Sequence, residues 1–285
     1  MTELRRRMDE DMIVRGLADR TREAYLWAVT GLALFYRRAP DQLSDEEVQA
    51  YLLHLIRDRQ RAWSTCNMVV HGLRFFYHTT LKRDQTTFSI PAQRQPSRLP
   101  ALLSREEIQR LIAQVPNLKH RTMILTTYAT GVRLNEVLHL RVQDIDSARM
   151  TIRVEQGKGG HDRYTVLSAR LLAALRAYWT VARPRSWLFP SDRTEAPMHP
   201  TALQRTYATA KRRAGIQKPG GIHGLRHAFA THLLEGGVDL HTIQRLLGHG
   251  QISTTTRYLQ LTRHTQMGPG SPLDLLERFA PPPQR

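Results

Sequence analysis

The sequence has 285 residues, a single cysteine and a formal net charge of +17, which excludes an internal disulfide framework and a Cys-rich zinc site. No apolar run approaches the roughly 18 residues of a membrane span, and no apolar segment follows the basic start as it would in a secretory signal. We therefore expect a cytoplasmic protein with one large domain or two modest ones.

The positive charge is unevenly distributed along the chain. Residues 1–98 carry 16 Lys and Arg against 12 Asp and Glu, whereas residues 99–285 carry 26 against 13. Most of these cations are arginines, whose planar guanidinium binds phosphate in a bidentate manner. The charge favours nucleic acid as the partner over an anionic membrane surface and over a merely soluble basic protein.

The first part of the chain has helical periodicity. Thr21 is a candidate N-cap, Ser44–Glu47 has the form of a capping box, and Ser64 is a further candidate N-cap. The pattern predicts a small helical bundle over residues 1–85, followed by a Pro-containing linker over 86–100. Three aromatic side chains are expected in its core: Trp27, Trp63 and Phe75.

After the linker, a second capping box at Ser104–Glu107 predicts a helix with an apolar face. The spacing of apolar residues then changes to that of β-strands at 150–155 and 163–167, on either side of a glycine-rich turn. The chain is predicted to be mainly α with a small antiparallel β-sheet. Further helices are predicted near 121–129, 133–140, 168–182, 199–214, 224–235, 239–248, 253–259 and 273–279.

No set of acidic residues has the spacing of a two-metal nuclease, and we expect no metal and no cofactor. Asp144 and Asp146 follow a helix in a turn, where they are expected to form local hydrogen bonds. His223 and His227 stand at i and i+4, as zinc ligands can, but neither a nearby cysteine nor the glutamate of a metalloprotease helix accompanies them.

A different set of residues meets one chemical requirement together, although each is weak evidence alone. A phosphodiester under attack becomes a dianionic transition state, which arginines can bind and a histidine can stabilise by a hydrogen bond. A tyrosine hydroxyl can be the nucleophile, and a lysine or histidine can protonate the leaving oxygen. The candidates are Arg133, Lys158, His223, Arg226, His249 and Tyr258.

Four ordered motifs resemble those of the tyrosine recombinase (phage integrase) family, over residues 99–279. The nine-residue step between His249 and Tyr258 agrees with that pattern. The preceding helical region resembles the family's core-binding domain more loosely. The motifs are Ala129-Thr-Gly-Val-Arg-Leu-Asn-Glu136, Gly157-Lys-Gly159, His223-Gly-Leu-Arg226-His-Ala-Phe-Ala-Thr-His-Leu-Leu234 and Leu247-Gly-His249-Gly-Gln-Ile-Ser-Thr-Thr-Thr-Arg-Tyr258.

The resemblance implies how the scissile phosphate is bound. Arg133 and Arg226 would bind its oxygens, and His249 would donate a hydrogen bond to it. Glu136, one turn beyond Arg133, would orient that arginine and would not act on the substrate.

The resemblance also implies how the bond is broken. Tyr258 would attack the phosphate and form a 3′-phosphotyrosyl bond, without metal or ATP. Lys158 would be the general acid for the 5′-oxygen, and His223 would assist proton transfer from Tyr258. The expected activity is site-specific cleavage and rejoining of duplex DNA through a Holliday junction.

The architecture implied by the resemblance is a two-domain clamp that acts as a homo-tetramer on paired DNA sites. The catalytic domain is expected at 101–270, with a C-terminal helix and tail at 271–285 that either docks on a neighbouring subunit or folds back on its own domain. The predicted helix 199–214 either contacts DNA or is a solvated basic face. Its cations are Arg205, Lys211, Arg212 and Arg213.

Several alternatives stay open from the sequence. Residues 214–219 and 271–276 favour the integron-integrase branch. The short span between Pro190 and His199 leaves no room for the extra helix of that branch, so a simpler or transposon-borne integrase is equally consistent. A type IB topoisomerase would share the nucleophile and the phosphate-binding residues, and a non-catalytic DNA-binding accessory protein is the third alternative.

Overall fold

The computed structural model describes residues 2–83, 87–89, 101–155, 162–192, 194–248, 253–256 and 258. Packing divides the chain into two compact units, Met1–Ser97 and Arg98–Arg285. Both are mainly helical, and the second contains a three-stranded antiparallel sheet, which confirms the predicted fold class. In the part of the chain so described, no helix combines the length and the apolar character needed to cross a membrane.

The first unit is a helical bundle around one apolar core. Leu32, Leu52 and Leu73 are fully buried in it, and they lie on three different helices. Burial of such side chains is worth roughly 1.5–3 kcal/mol each and holds the helices together. The helices are α1 (Glu3–Val14), α2 (Asp19–Tyr36), α3 (Asp45–Arg57) and α4 (Trp63–Arg74), which continues into a π-helix at Phe75–Thr80.

The starts of these helices agree only in part with the sequence-based predictions. The capping box at Ser44 is confirmed, because its hydroxyl accepts from the Glu47 N–H and the Glu47 carboxylate accepts from the Ser44 N–H. The N-caps expected at Thr21 and Ser64 are wrong, since α2 and α4 begin after alanines that have no side-chain cap. At α2, ion pairs from Arg22 to Asp9 and Asp19 stabilise the first turn instead.

One expected core residue of this unit lies at its surface. Trp27 is 50% exposed, because the face of α2 that packs on α4 is the one carrying Ala28, Val29 and Leu32. Trp63 is half-buried, and Phe75 is half-buried and packs against the core.

The second unit has a larger core, built mainly by helices. The capping box at Ser104 is confirmed, and Ile108, Leu111 and Val115 are buried as its apolar face predicts. The helices are α5 (Arg105–Ala113), α6 (Leu118–Thr130), α7 (Leu134–Leu138), α8 (Ala169–Ala182), α9 (Pro200–Arg213), α10 (His223–Glu235), α11 (Leu240–Leu247) and α12 (Ser253–Thr256). The helix predicted at 273–279 lies outside the described residues.

Helix α6 is buried although it carries several hydroxyls. Thr122, Thr126, Thr127 and Thr130 each donate a hydrogen bond to the carbonyl four residues earlier, at 2.7–2.8 Å. This back-bonding satisfies the hydroxyls inside the core, where an unpaired polar group is costly. The threonines of this segment therefore fit a helix that other elements surround.

The sheet has the order β1 (Ile145–Asp146), β2 (Thr151–Val154) and β3 (Arg163–Val166). In the antiparallel register, Val154 pairs with Arg163, and Ile152 pairs with Thr165. These four side chains share the buried face because side chains alternate along a strand. The local hydrogen bonds predicted for Asp144 and Asp146 are confirmed, with backbone N–H donors at Arg141, Ala148 and Arg149.

Gly131 ends α6 in the left-handed conformation, with φ of 65°. A Cβ there would lie 2.4 Å from Cδ1 of Phe229 and 2.8 Å from Cδ2 of Leu247. We expect Gly131→Ala to lower the free energy of unfolding by about 2–4 kcal/mol, from backbone strain plus overpacking. Gly215→Ala is the matched control in urea unfolding, since φ there is +70° but no atom lies within 4 Å of the Cβ position. Equal losses of unfolding free energy in the two variants would contradict a steric clash at the Gly131 Cβ position.

Candidate active site

Arg226 lies in the first turn of α10, with its side chain inside the protein and only 1% of the residue exposed. Its Nη1 donates to the Gly131 carbonyl at 2.6 Å, and its Nη2 donates to the Leu247 carbonyl at 2.6 Å. Burial, together with the charge of Arg133, lowers the pKa of Arg226 to about 9, against the opposing effect of Glu136. The guanidinium is therefore charged at neutral pH, at a point where α10 meets the ends of α6 and α11.

Arg133 directly precedes α7 and is held by the acidic residue one turn later. The Arg133 N–H donates to Oε2 of Glu136 at 2.7 Å, and Arg133 Nη1 donates to Oε1 at 2.8 Å. A glutamate at this place in the first turn satisfies a free N–H of the helix start. The local sequence therefore orients the Arg133 side chain.

A second arginine reaches the same carboxylate from the sheet. Arg163 begins β3 on its buried face, and its Nη1 and Nη2 donate to the two oxygens of Glu136 at 2.9 and 2.6 Å. Burial opposes ionisation of Glu136, but the hydrogen bonds and charge of Arg163, with the backbone and side-chain hydrogen bonds from Arg133, lower its pKa to about 2. Glu136 is thus an anion throughout the physiological range.

Tyr258 is 3% exposed and packs with Phe229 of α10 and Leu247 of α11. Its hydroxyl lies 3.2 Å from Nδ1 of His227, within hydrogen-bonding distance. The phenol is therefore positioned by apolar packing around its ring and by an imidazole at its hydroxyl.

His223 lies next to His227, one helical turn earlier on α10. The two rings meet edge to face with centroids 4.8 Å apart. Burial, and the positive charges of Arg226 and Arg133, lower the pKa of His223 below its ordinary value, despite the opposing charge of Glu136. The His223 imidazole is therefore neutral at neutral pH and able to accept a proton.

The structure brings four of the six predicted catalytic residues into one region. Arg226 interacts electrostatically with Arg133, Glu136 and Tyr258, and His223 interacts with both arginines. Lys158 and His249, the other two predicted residues, lie outside the described residues. The four residues brought together are Arg133, His223, Arg226 and Tyr258.

Two members of this region, Arg163 and His227, are not among the catalytic residues predicted from the sequence. Arg163 follows the glycine-rich turn in the sequence, where a cation is expected to be solvated, and only the strand register shows that its side chain lies on the buried face of β3. The sequence presents His227 only as a possible zinc ligand, although its place directly after Arg226 could have indicated that it lies near the candidate phosphate-binding residues. Among the described residues, no group of three or more His, Cys, Asp and Glu is arranged to hold a metal ion.

The four cations predicted to contact DNA lie on α9. Three of them, Arg205, Arg212 and Arg213, are exposed. Lys211 is half-buried, and its ammonium donates to the carbonyls of Lys218 and Gly220, the latter at 2.9 Å. Lys211 and Arg212 line an open cavity of about 870 Å³ that extends to His223.

Known protein families and relatives are similar to this chain over nearly its whole length. Residues 101–264 match the phage integrase family, and residues 4–87 match the phage integrase N-terminal SAM-like domain. A Sinorhizobium fredii protein named as an integrase/recombinase is 43% identical over 284 residues, which is 99% of this chain and 92% of that protein. The tyrosine recombinase XerD of Shewanella oneidensis is 32% identical over 279 residues, which is 90% of this chain and 91% of the relative.

The fold is also that of a solved recombinase. One chain of the lambda integrase tetramer bound to a Holliday junction superposes on this chain with a TM-score of 0.69 at 18% identity. The match covers 88% of this chain and 75% of that chain. Family models match both units, and the Sinorhizobium fredii protein is 43% identical over 99% of this chain. The chain therefore belongs to the phage integrase family and is a tyrosine recombinase.

Proposed function

We propose that this chain cuts and rejoins specific duplex DNA sites by attack of the Tyr258 hydroxyl on a phosphodiester, which forms a 3′-phosphotyrosyl bond and releases a 5′-hydroxyl. The observation that carries the proposal is the meeting of a buried phenol, a buried arginine and a carboxylate-oriented arginine in one region. Three different helix ends supply these groups, so their convergence is a property of the fold.

Each described group has a distinct role in this reaction. Arg226 and Arg133 stabilise the charge that develops on the non-bridging oxygens of the phosphate. The Tyr258 proton passes to an imidazole of α10, either that of His227, whose Nδ1 lies 3.2 Å from the hydroxyl, or that of His223, whose ring contacts His227. The proposed roles of Lys158 as general acid and of His249 as hydrogen-bond donor to the phosphate complete the set.

The phosphotyrosine linkage retains the energy of the broken bond, so rejoining needs neither ATP nor a cofactor. A 5′-hydroxyl from a second duplex can then reverse the attack, which turns cleavage into strand exchange. We propose that four copies act on two paired sites, as the lambda integrase tetramer binds a Holliday junction. The buried thiol of Cys66 is compatible with action in the reducing cytoplasm.

Both units are proposed to hold DNA. Residues 1–85 would be the core-binding domain, 86–100 the linker and 101–270 the catalytic domain. On the catalytic side, the exposed cations Arg205, Arg212 and Arg213 are the proposed contacts. Lys211 is included as a predicted contact, although its ammonium also holds the loop at Lys218. Such contacts weaken steeply as salt rises.

A trapping experiment tests the function. Genomic DNA flanking the gene is nicked near candidate sites so that the cleaved end diffuses away, and the full chain is added in buffer containing EDTA. We expect a covalent protein–DNA adduct that survives denaturant, and recombinant products when two linear sites are supplied. Relaxation of supercoils without strand exchange would support a topoisomerase, and absence of any adduct would contradict the proposal.

We further expect residues 273–279 to act between subunits. Deleting residues 271–285 should weaken assembly of the tetramer on paired sites about tenfold or more, while binding to a single site changes by less than about twofold. Analytical ultracentrifugation with fluorescent DNA separates the two equilibria. Equal losses of both would indicate that the segment folds back on its own domain.

A further inference from the structure

The carboxylate of Glu136 lies between two arginines and is bound by both. Its Oε1 accepts from Arg133 Nη1 at 2.8 Å and from Arg163 Nη1 at 2.9 Å, and its Oε2 accepts from Arg163 Nη2 at 2.6 Å. The Glu136 and Arg163 side chains are 7% and 9% exposed, whereas Arg133 is 24% exposed. Of the two arginines that bind Glu136, Arg133 is thus the more accessible, and it is the one of the pair that is proposed to bind phosphate.

Glu136 alone would oppose the function of the arginine that it orients. An arginine paired with one carboxylate is a neutral unit, and a neutral unit stabilises a phosphate dianion poorly. Addition of Arg163 gives the three side chains a net charge of +1. Because charges interact strongly in a site with little water, this difference bears directly on the transition state.

Arg163 is itself held rigidly by parts of the fold other than Glu136. Its Nε donates to the Leu246 carbonyl at the end of α11, at 3.0 Å. A Cβ on Gly248 would lie 2.6 Å from Cδ of Arg163, so the glycine provides the space through which this side chain passes. Lysine could not replace it, because an ammonium cannot bind both carboxylate oxygens and the carbonyl in this fork geometry.

We propose that Arg163 is a positioning residue that acts as the counter-charge of Glu136 and so keeps the positive charge of Arg133 available to the scissile phosphate. This inference rests on the proposed function, since it takes Arg133 as a phosphate ligand. Arg163 itself is not proposed to touch DNA.

The test is a double-mutant cycle read by the rate of adduct formation at saturating protein. We expect Arg163→Met to slow the reaction roughly 100-fold and Glu136→Gln roughly 10-fold. The double variant should be about tenfold faster than Arg163→Met, because the carboxylate that needed neutralising is gone. If Arg163 only supports the fold, the double variant will be as slow as Arg163→Met or slower, which would overturn the proposal.

Arg176→Met is the matched control, because it removes one positive charge from an exposed position on α8. Its rate should equal that of the unmodified chain. DNA binding to a single site, measured by fluorescence anisotropy, should change less than about threefold in all variants, since Arg163 is proposed to act on the reaction step.

A second measurement is independent of cleavage. With ¹³C-labelled glutamate in the full chain, the proton affinity of the Glu136 carboxylate should rise about tenfold or more in Arg163→Met and stay unchanged in Arg176→Met. An unchanged titration in Arg163→Met would overturn the counter-charge role even if the enzyme is active. Absence of adduct with the unmodified chain would instead refute the proposed function, and the titration would still decide whether Arg163 neutralises Glu136.

Discussion

Replacing Tyr258 by phenylalanine should abolish the covalent protein–DNA adduct, reducing its rate of formation by a factor of about 10⁴ or more. The phenol oxygen is the only atom of this side chain that can attack phosphorus, and phenylalanine removes it while keeping the ring. Because the ring packs with Phe229 and Leu247, the fold should be retained. Loss of the hydrogen bond to His227 should cost about 1 kcal/mol of the free energy of unfolding.

The chain offers a closely matched control for this variant. Tyr128 also forms a hydrogen bond from its hydroxyl to a histidine, with 2.9 Å between its oxygen and Nδ1 of His232. Tyr128→Phe removes an equivalent phenol–imidazole bond from the same unit and should leave adduct formation unchanged. Site-specific DNA binding should be the same for both variants in a mobility-shift assay. An adduct that persists in Tyr258→Phe would refute the assignment of the nucleophile.

The second large effect is expected at Arg226. Arg226→Lys keeps a positive charge but loses the planar fork, so the rate of adduct formation should fall by about 10²–10³-fold at saturating protein. The guanidinium bonds to two separate carbonyls, of Gly131 and Leu247, and one ammonium cannot replace both bonds. An unsatisfied buried carbonyl should lower the free energy of unfolding by about 1–3 kcal/mol.

The rate effect and the stability effect can be separated by temperature and by a control. Adduct formation is measured well below the unfolding midpoint of the variant, where the folded fraction is the same as in the unmodified chain. Arg176→Lys, at an exposed position of α8, should change neither quantity. A full cleavage rate in a stably folded Arg226→Lys would show that charge alone suffices and that the fork geometry is not needed.

The pH dependence of stability follows from Glu136. Its folded pKa of about 2 is below the unfolded value near 4.3, so the contribution of this carboxylate is fully present above about pH 5. That contribution is lost as the pH falls toward 2, where the carboxylate bound by Arg133 and Arg163 becomes protonated. Its ion pairs therefore stabilise the fold throughout the range in which DNA cleavage would be assayed.

Local sequence signals determined much of the secondary structure. Both capping boxes, at Ser44 and Ser104, begin helices as predicted, because the two hydrogen bonds of such a box form between residues three apart. Two strands on either side of the glycine-rich turn were also predicted from their period. The starts of α2 and α4 were missed. At α2, one of the two ion pairs that stabilise the first turn joins Arg22 to Asp9 of α1, which is distant in sequence.

The family was predicted from the resemblance of four ordered motifs, and the comparisons confirm it. The candidate nucleophile and its cations were predicted from their residue types, and their roles stay a prediction. Only the tertiary structure shows that Arg163 shares Glu136 with Arg133, and that His227 lies at the hydroxyl of Tyr258. The physical reason is that these contacts join β3, the start of α7, helix α10 and the residue Tyr258 that follows α12. Their geometry depends on how the elements pack against one another, and no local pattern in the chain encodes that packing.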